Sequence, residues 1–132
     1  MHRGTHNDQK ETGPTLLELV LRIEGDIRRS LGPIRVTPLQ AGVLLFLRCH
    51  AEANVTDAAV ALGVVLSTLS VVVKALERKR WVTKRRSVKD DRVVCLSLSR
   101  RGEALALHIE QRVRHVNATV AEPDRRALGK NP

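Results

Sequence analysis

The chain has 132 residues, of which 42% are hydrophobic and 28% charged, and 23 Lys and Arg against 14 Asp and Glu give a formal charge of +9. That length leaves room for one core, and the composition is that of a folded globular chain rather than a disordered one. One Phe, one Trp and no Tyr exclude a surface that stacks successive bases of a single strand.

Residues 1–14 mix His, Asn, Asp, Gly and Pro without periodicity and read as a flexible arm ending at Gly13-Pro14. The arm has no apolar core of the kind a secretory signal needs, and no apolar run approaches the roughly 20 residues of a membrane span, so a cytoplasmic location with no membrane contact is expected. From Thr15 onward Leu16, Val20, Ile23, Ile27 and Leu31 recur at helical spacing, widened by Leu17 and Leu21, until Gly32-Pro33 stops the helix. Such a broad stripe predicts burial on two sides. Thr37-Pro38-Leu39-Gln40 is a capping box with Pro at the first helical position, and it opens a second helix that turns Leu39, Val43, Leu44, Phe46 and Leu47 inward. Thr56 is expected to cap a short third helix over 57–62, with Asp57 in its first turn and Gly63 as its left-handed stop.

A fourth helix over about 66–79 buries Leu69, Val72, Val73 and Leu76 and leaves Ser67, Thr68, Ser70 and Lys74 outside; the two short helices make a helix-turn-helix. Trp81, Val82 and Thr83 start an extended segment, residues 85–91 form a polar turn, and 93–98 alternates Val94, Leu96 and Leu98 against Val93, Cys95 and Ser97. The result is a hairpin with a basic tip. Ser99 caps a long last helix with the stripe Leu105, Ile109, Val113, Val116 and Val120, and Pro123 can open one further turn. The fold class is therefore mainly α with a small β wing. Residues 15–132 form a single domain, with a winged helix-turn-helix core over about 37–98 and outer helices over about 15–31 and 100–128. A symmetric partner is the economical way for so short a chain to bury those outer stripes, so a homodimer is expected, with Ile109 on its interface.

The charge is not spread evenly. From Lys74 to Arg101 there are eleven Lys and Arg and three Asp and Glu, so this segment carries +8 of the total +9. A solvated face would be served as well by mixed signs, and so lopsided an excess points to phosphate. Ser67, Thr68, Ser70 and Lys74 are the candidates for reading base edges in the major groove of double-stranded DNA. Arg85, Arg86, Lys89 and Arg92 are the candidates for the backbone or the narrow minor groove. Asp90, two residues before Arg92, is placed as the carboxylate that orients it, because a carboxylate facing phosphate would be repelled.

The stretch LERKRWVTKRRSVKDDRVVCLSLSRRGEAL resembles the signature of MarR-type regulators: a recognition helix, a wing carrying Asp-x-Arg, and a strand ending Leu-Thr/Ser-x-x-Gly. The pattern falls on Asp90, Arg92, Leu96, Leu98, Ser99 and Gly102, and the similarity runs over about residues 15–121. The resemblance implies a two-fold symmetric DNA binder on a pseudopalindromic operator, often a repressor released by a small aromatic or phenolic effector. By that analogy an effector pocket would lie between the outer helices and the winged lobe, near Leu17, Leu21 and Phe46. Several positions depart from the pattern. Val71 stands where the recognition helix of relatives often has Arg, and Val65-Leu66 stands where they start it with Ser, Asp or Pro. Arg80 replaces the Gly that usually ends it, and Arg100 and Arg101 replace acidic residues.

Other chemistry has little to stand on. Asp90 and Asp91 are adjacent carboxylates at a hairpin tip, not an opposed acid and base pair, so no enzyme is expected. His108, His115 and Cys49-His50 are too scattered for a metal site, no phosphate-binding glycine loop calls for a cofactor, and Cys49 and Cys95 read as inert thiols. The alternative function is a winged-helix dimer whose valine-rich recognition helix has lost DNA readout and serves as a protein-interaction module.

Overall fold

The computed structural model describes residues 15–119, with side chains through Arg114. Helix α1 (Leu16–Leu31) starts at a capping box: the Glu18 N–H donates to Thr15 Oγ1 at 3.2 Å and the Thr15 N–H donates to Glu18 Oε1 at 2.8 Å. A 3-10 turn over Gly32–Ile34 leads to α2 (Pro38–Cys49), whose box of Thr37 and Gln40 forms as expected. Helices α3 (Val55–Leu62) and α4 (Leu66–Arg78) follow, then β1 (Val82–Arg86), β2 (Val94–Leu98) and α5 (Arg100–Thr119). The strands pair antiparallel, with Val82 opposite Leu98 and Arg86 opposite Val94.

Leu31, Val43, Leu44, Leu69, Leu76, Leu96 and Ile109 have no more than 1% of their surface exposed, so one core joins the end of α1, the helix-turn-helix, the wing root and α5. Among the described residues no single helix is long and apolar enough to cross a membrane. Arg112 Nε donates to the Ser30 carbonyl at 3.1 Å, and Arg48 pairs with Glu110, so α5 is tied to both α1 and α2.

Four expectations change. Helix α3 begins two residues early because Asn54 caps it: Asn54 Oδ1 accepts from the Asp57 N–H at 2.8 Å and Asp57 Oδ2 accepts from the Asn54 N–H at 3.0 Å, while Thr56 lies exposed in the first turn. Arg85 and Arg86 belong to β1 rather than to the turn. In β2 both Cys95 and Leu96 are buried, so the strict alternation fails: the strand is covered on both faces at its middle. Ile109 faces the core of its own chain instead of a partner. Val116 lies beyond the residues whose side chains are described, and the arm 1–14, Val120, the 120–128 part of the last helix and the turn at Pro123 lie outside the described residues.

Candidate nucleic-acid interface

On α4, the apolar side at Leu69, Val73 and Leu76 is buried, which leaves Ser67, Thr68 and Lys74 exposed and Ser70 half-buried. All four predicted residues therefore reach solvent from one helix. Val71 is 67% exposed among them, and no side chain caps the helix at Val65, as the sequence suggests. The helix ends through Arg80, which takes the left-handed conformation at φ 63° in place of the usual Gly.

The wing holds its cations differently. Asp90 Oδ1 accepts from both the backbone N–H and Nε of Arg92 at 3.1 Å, and Oδ2 accepts from the second guanidinium nitrogen at 3.2 Å. This fork fixes the guanidinium while leaving 87% of the Arg92 side chain in solvent. The Arg92 guanidinium and its backbone N–H keep the Asp90 carboxyl below its ordinary range, so it stays charged. Arg86 is exposed and donates to the Asp91 carbonyl at 2.8 Å, and the Lys89 N–H donates to Ser87 Oγ at 3.1 Å. Arg86, Lys89 and Arg92 thus stand on a wing tip closed by its own hydrogen bonds.

Arg85 points the other way. Its guanidinium donates to the Ala51 carbonyl at 2.6 Å and to Glu52 Oε2 at 2.9 Å, so it is spent within the protein and does not join the outward cations. Glu52, in the loop between α2 and α3, is the residue sequence reasoning missed. It also accepts from the Ser87 hydroxyl at 2.6 Å, its backbone carbonyl accepts the Cys95 thiol at 3.2 Å, and the neighbouring Ala53 carbonyl takes the Leu96 N–H at 2.8 Å. Residues 51–53 therefore clamp both strands of the wing. The Ser87 hydroxyl and then the Arg85 guanidinium hold the Glu52 carboxyl below its ordinary range. No local pattern could have revealed the clamp, because its partners lie 33 to 43 residues apart.

The Ser99 and Gly102 of the signature have a physical reason. Ser99 Oγ donates to the Arg80 carbonyl at 2.6 Å and accepts the Gly102 N–H at 3.0 Å, and the Ser99 N–H donates to the Trp81 carbonyl. A Cβ on Gly102 would sit 2.0 Å from that same Trp81 oxygen. Only Gly lets α5 start against the root of β1.

Residues 36–93 match a family model described as MarR family. A curated relative, the HTH-type transcriptional repressor MdtR of Bacillus subtilis (strain 168), is 30% identical over 89 residues, 67% of this chain and 57% of that protein. Over these residues the chain resembles the MarR family. It spans a little over half the length of that curated relative. Among solved structures it is similar to a mutant MarR from E. coli complexed with operator DNA, with a TM-score of 0.70, 23% identity and coverage of 83% of this chain and 82% of that one. It is also similar to the transcriptional repressor CouR bound to a 23-mer DNA duplex, with a TM-score of 0.69, 27% identity and coverage of 82% and 79%. CouR from Rhodococcus jostii RHA1 bound to p-coumaroyl-CoA gives 0.74 at 20% identity, over 88% and 78%. The mainly helical body with its two-stranded wing is the winged-helix fold of these MarR-family structures.

The expected effector pocket is brought together only in part. Leu17 and Leu21 are 65% and 57% exposed on the first half of α1, on a face shared with Leu16 and Val20. Phe46 instead lines a cavity of about 290 Å³ with His50, Glu52, Ala53 and Asp57, at the end of α2 and the start of α3. Leu17 and Leu21 do not line that cavity; α1 turns them to solvent.

Proposed function

We propose that the chain is a sequence-specific double-stranded-DNA-binding regulator of transcription, a repressor that acts as a homodimer, with residues 15–132 working as one winged unit and a small aromatic effector modulating it. The observation that carries this reading is the Arg92–Asp90 fork beside exposed Arg86 and Lys89, on a wing joined by three residues to a helix that exposes Ser67, Thr68, Ser70 and Lys74. Arginines held rigid and outward suit phosphate or the narrow minor groove, and short hydroxyl side chains on a groove-sized helix suit base edges. Two relatives whose structures hold DNA, MarR and CouR, support the assignment. The homodimer is supported by the apolar face of α1, where Leu16, Leu17, Val20 and Leu21 are each 46% to 65% exposed in the single chain. The CouR complex with p-coumaroyl-CoA supports an effector.

The test is selection of binding sites from a random duplex pool followed by footprinting. The expected site has two inverted half-sites about one helical turn, roughly 34 Å, apart. A single asymmetric half-site would overturn the dimer, and no enriched sequence would overturn specific readout. A second reading, the protein-interaction module, is favoured by one observation: Val65, Leu66 and Val71 expose 50% to 67% of their surface along α4, an apolar strip that base edges do not require.

A further inference from the structure

We propose that Val71 on α4 reads the C5-methyl group of a pyrimidine, thymine or 5-methylcytosine, in the major groove. This contact rests on the DNA-binding reading above and names one base group within it. Helix α4 turns Leu69, Val73 and Leu76 into the core. At about 100° per residue the opposite side carries Ser67, Val71, Lys74 and Arg78, all exposed and spaced as one row along the helix. Val71 stands in the middle of that row with 67% of its surface exposed.

Its surroundings select the occupant. Within the row Val71 is flanked by a hydroxyl and two cations, and half-buried Ala75, one turn on, adds a single methyl to its side. The apolar strip that begins at Val65 and Leu66 winds about 140° round the helix from Leu66 before it reaches Val71. A broad apolar partner laid on this row would meet one valine and two positive charges. A polyanion that carries isolated methyl groups complements both.

The major groove of duplex DNA is such a surface. Thymine shows an O4 acceptor and a C5-methyl there, the only methyl that the four bases present. A valine side chain has neither donor nor acceptor, so it gains nothing from the polar base edges and buries area only against the methyl. Its β-branch leaves one strongly preferred rotamer in a helix, so its own methyls are already positioned. Cytosine lacks the C5-methyl and 5-methylcytosine restores it. Val71 therefore distinguishes methyl from no methyl, and affinity follows cytosine methylation at the same base step. Ser67 and Lys74, one turn to either side, are left to meet polar edges or phosphates nearby.

The experiment uses the full chain and the duplex it selects from a random pool. Each thymine of a half-site is replaced in turn by deoxyuridine, which removes the methyl and leaves base pairing intact. At one thymine the replacement is expected to weaken binding about fourfold, the worth of one methyl-sized group withdrawn from contact. Val71→Ala is expected to bind the thymine site more weakly and to bind the thymine and deoxyuridine sites nearly alike. In a duplex with cytosine at that step, 5-methylation is expected to regain a similar factor. Val71→Arg, at the same exposed position, is expected to shift the preference there to guanine, whose N7 and O6 accept the guanidinium. A selected site in which no deoxyuridine matters, or one whose deoxyuridine effect persists undiminished in Val71→Ala, overturns the contact and leaves the DNA-binding reading standing. A chain that enriches no sequence overturns specific readout itself, and the contact with it, in favour of the protein-interaction module.

Discussion

Helix α4 and the wing meet solvent with different kinds of surface. The helix offers hydroxyls, one Lys and exposed valines, and its N-terminus has no side-chain cap. The wing offers cations held by the Asp90 fork at the tip, on strands that the Glu52 clamp fixes at their tip-ward end. The contrast separates two tasks that are often merged. Charge that is rigid and exposed gives affinity for any phosphate backbone, whereas short polar groups on a helix carry discrimination and little of the total energy. On the proposed function, the first task falls to the wing and the second to α4.

Four substitutions put that contrast to the test. The largest effect is expected at the wing root: Gly102→Ala drives a Cβ into the Trp81 carbonyl, which must displace backbone, and should cost about 3 kcal/mol of stability in urea denaturation. A midpoint like that of the unchanged chain would mean α5 and β1 are not locked together. Next, Arg92→Ala should weaken every duplex alike by about 2 kcal/mol and flatten the salt dependence by about one phosphate, a loss with no change in preferred sequence. Altered preference would move the wing into the reading role. Thr68→Ala should do the reverse, lowering discrimination among sequences by about 1 kcal/mol while the salt slope stays constant. The smallest effect is expected from Val65→Asp, which supplies the missing cap and should raise stability by about 0.5 to 1 kcal/mol, visible as a higher melting temperature. A lower melting temperature would show that Val65 contributes packing the exposed side chain does not suggest.

Much of the fold is legible in the sequence, because its signals are local. The capping box at Thr37 and Gln40, the stripe that ends at Leu31, Gly63 at φ 70° and the uncapped Val65 all depend on residues within four positions of one another. The sequence misleads where two local signals compete or where the deciding partner is remote. Asn54 and Thr56 are both good caps, and the return bond from Asp57 chose Asn54. Arg85 and Arg86 look like turn residues by charge, but backbone pairing with Cys95 and Val94 makes them strand. Arg85 reads by charge as a phosphate contact, but Glu52, 33 residues away, holds its guanidinium. Ile109 sits on an apolar stripe that serves the core and any interface equally well, and only packing against the winged lobe decides that it belongs to the core. The Asp90 and Arg92 pair was legible because its geometry needs two residues and one turn.

The proposed function requires that the outward cations meet duplex phosphate. Duplex affinity measured from about 0.05 to 0.3 M salt tests this most directly. Log affinity should fall linearly with log salt at about 0.9 per phosphate neutralised, and Arg86→Ala, Lys89→Ala and Arg92→Ala combined should remove about three phosphates from the slope. An affinity that ignores salt, or a slope that the three substitutions leave intact, would contradict it.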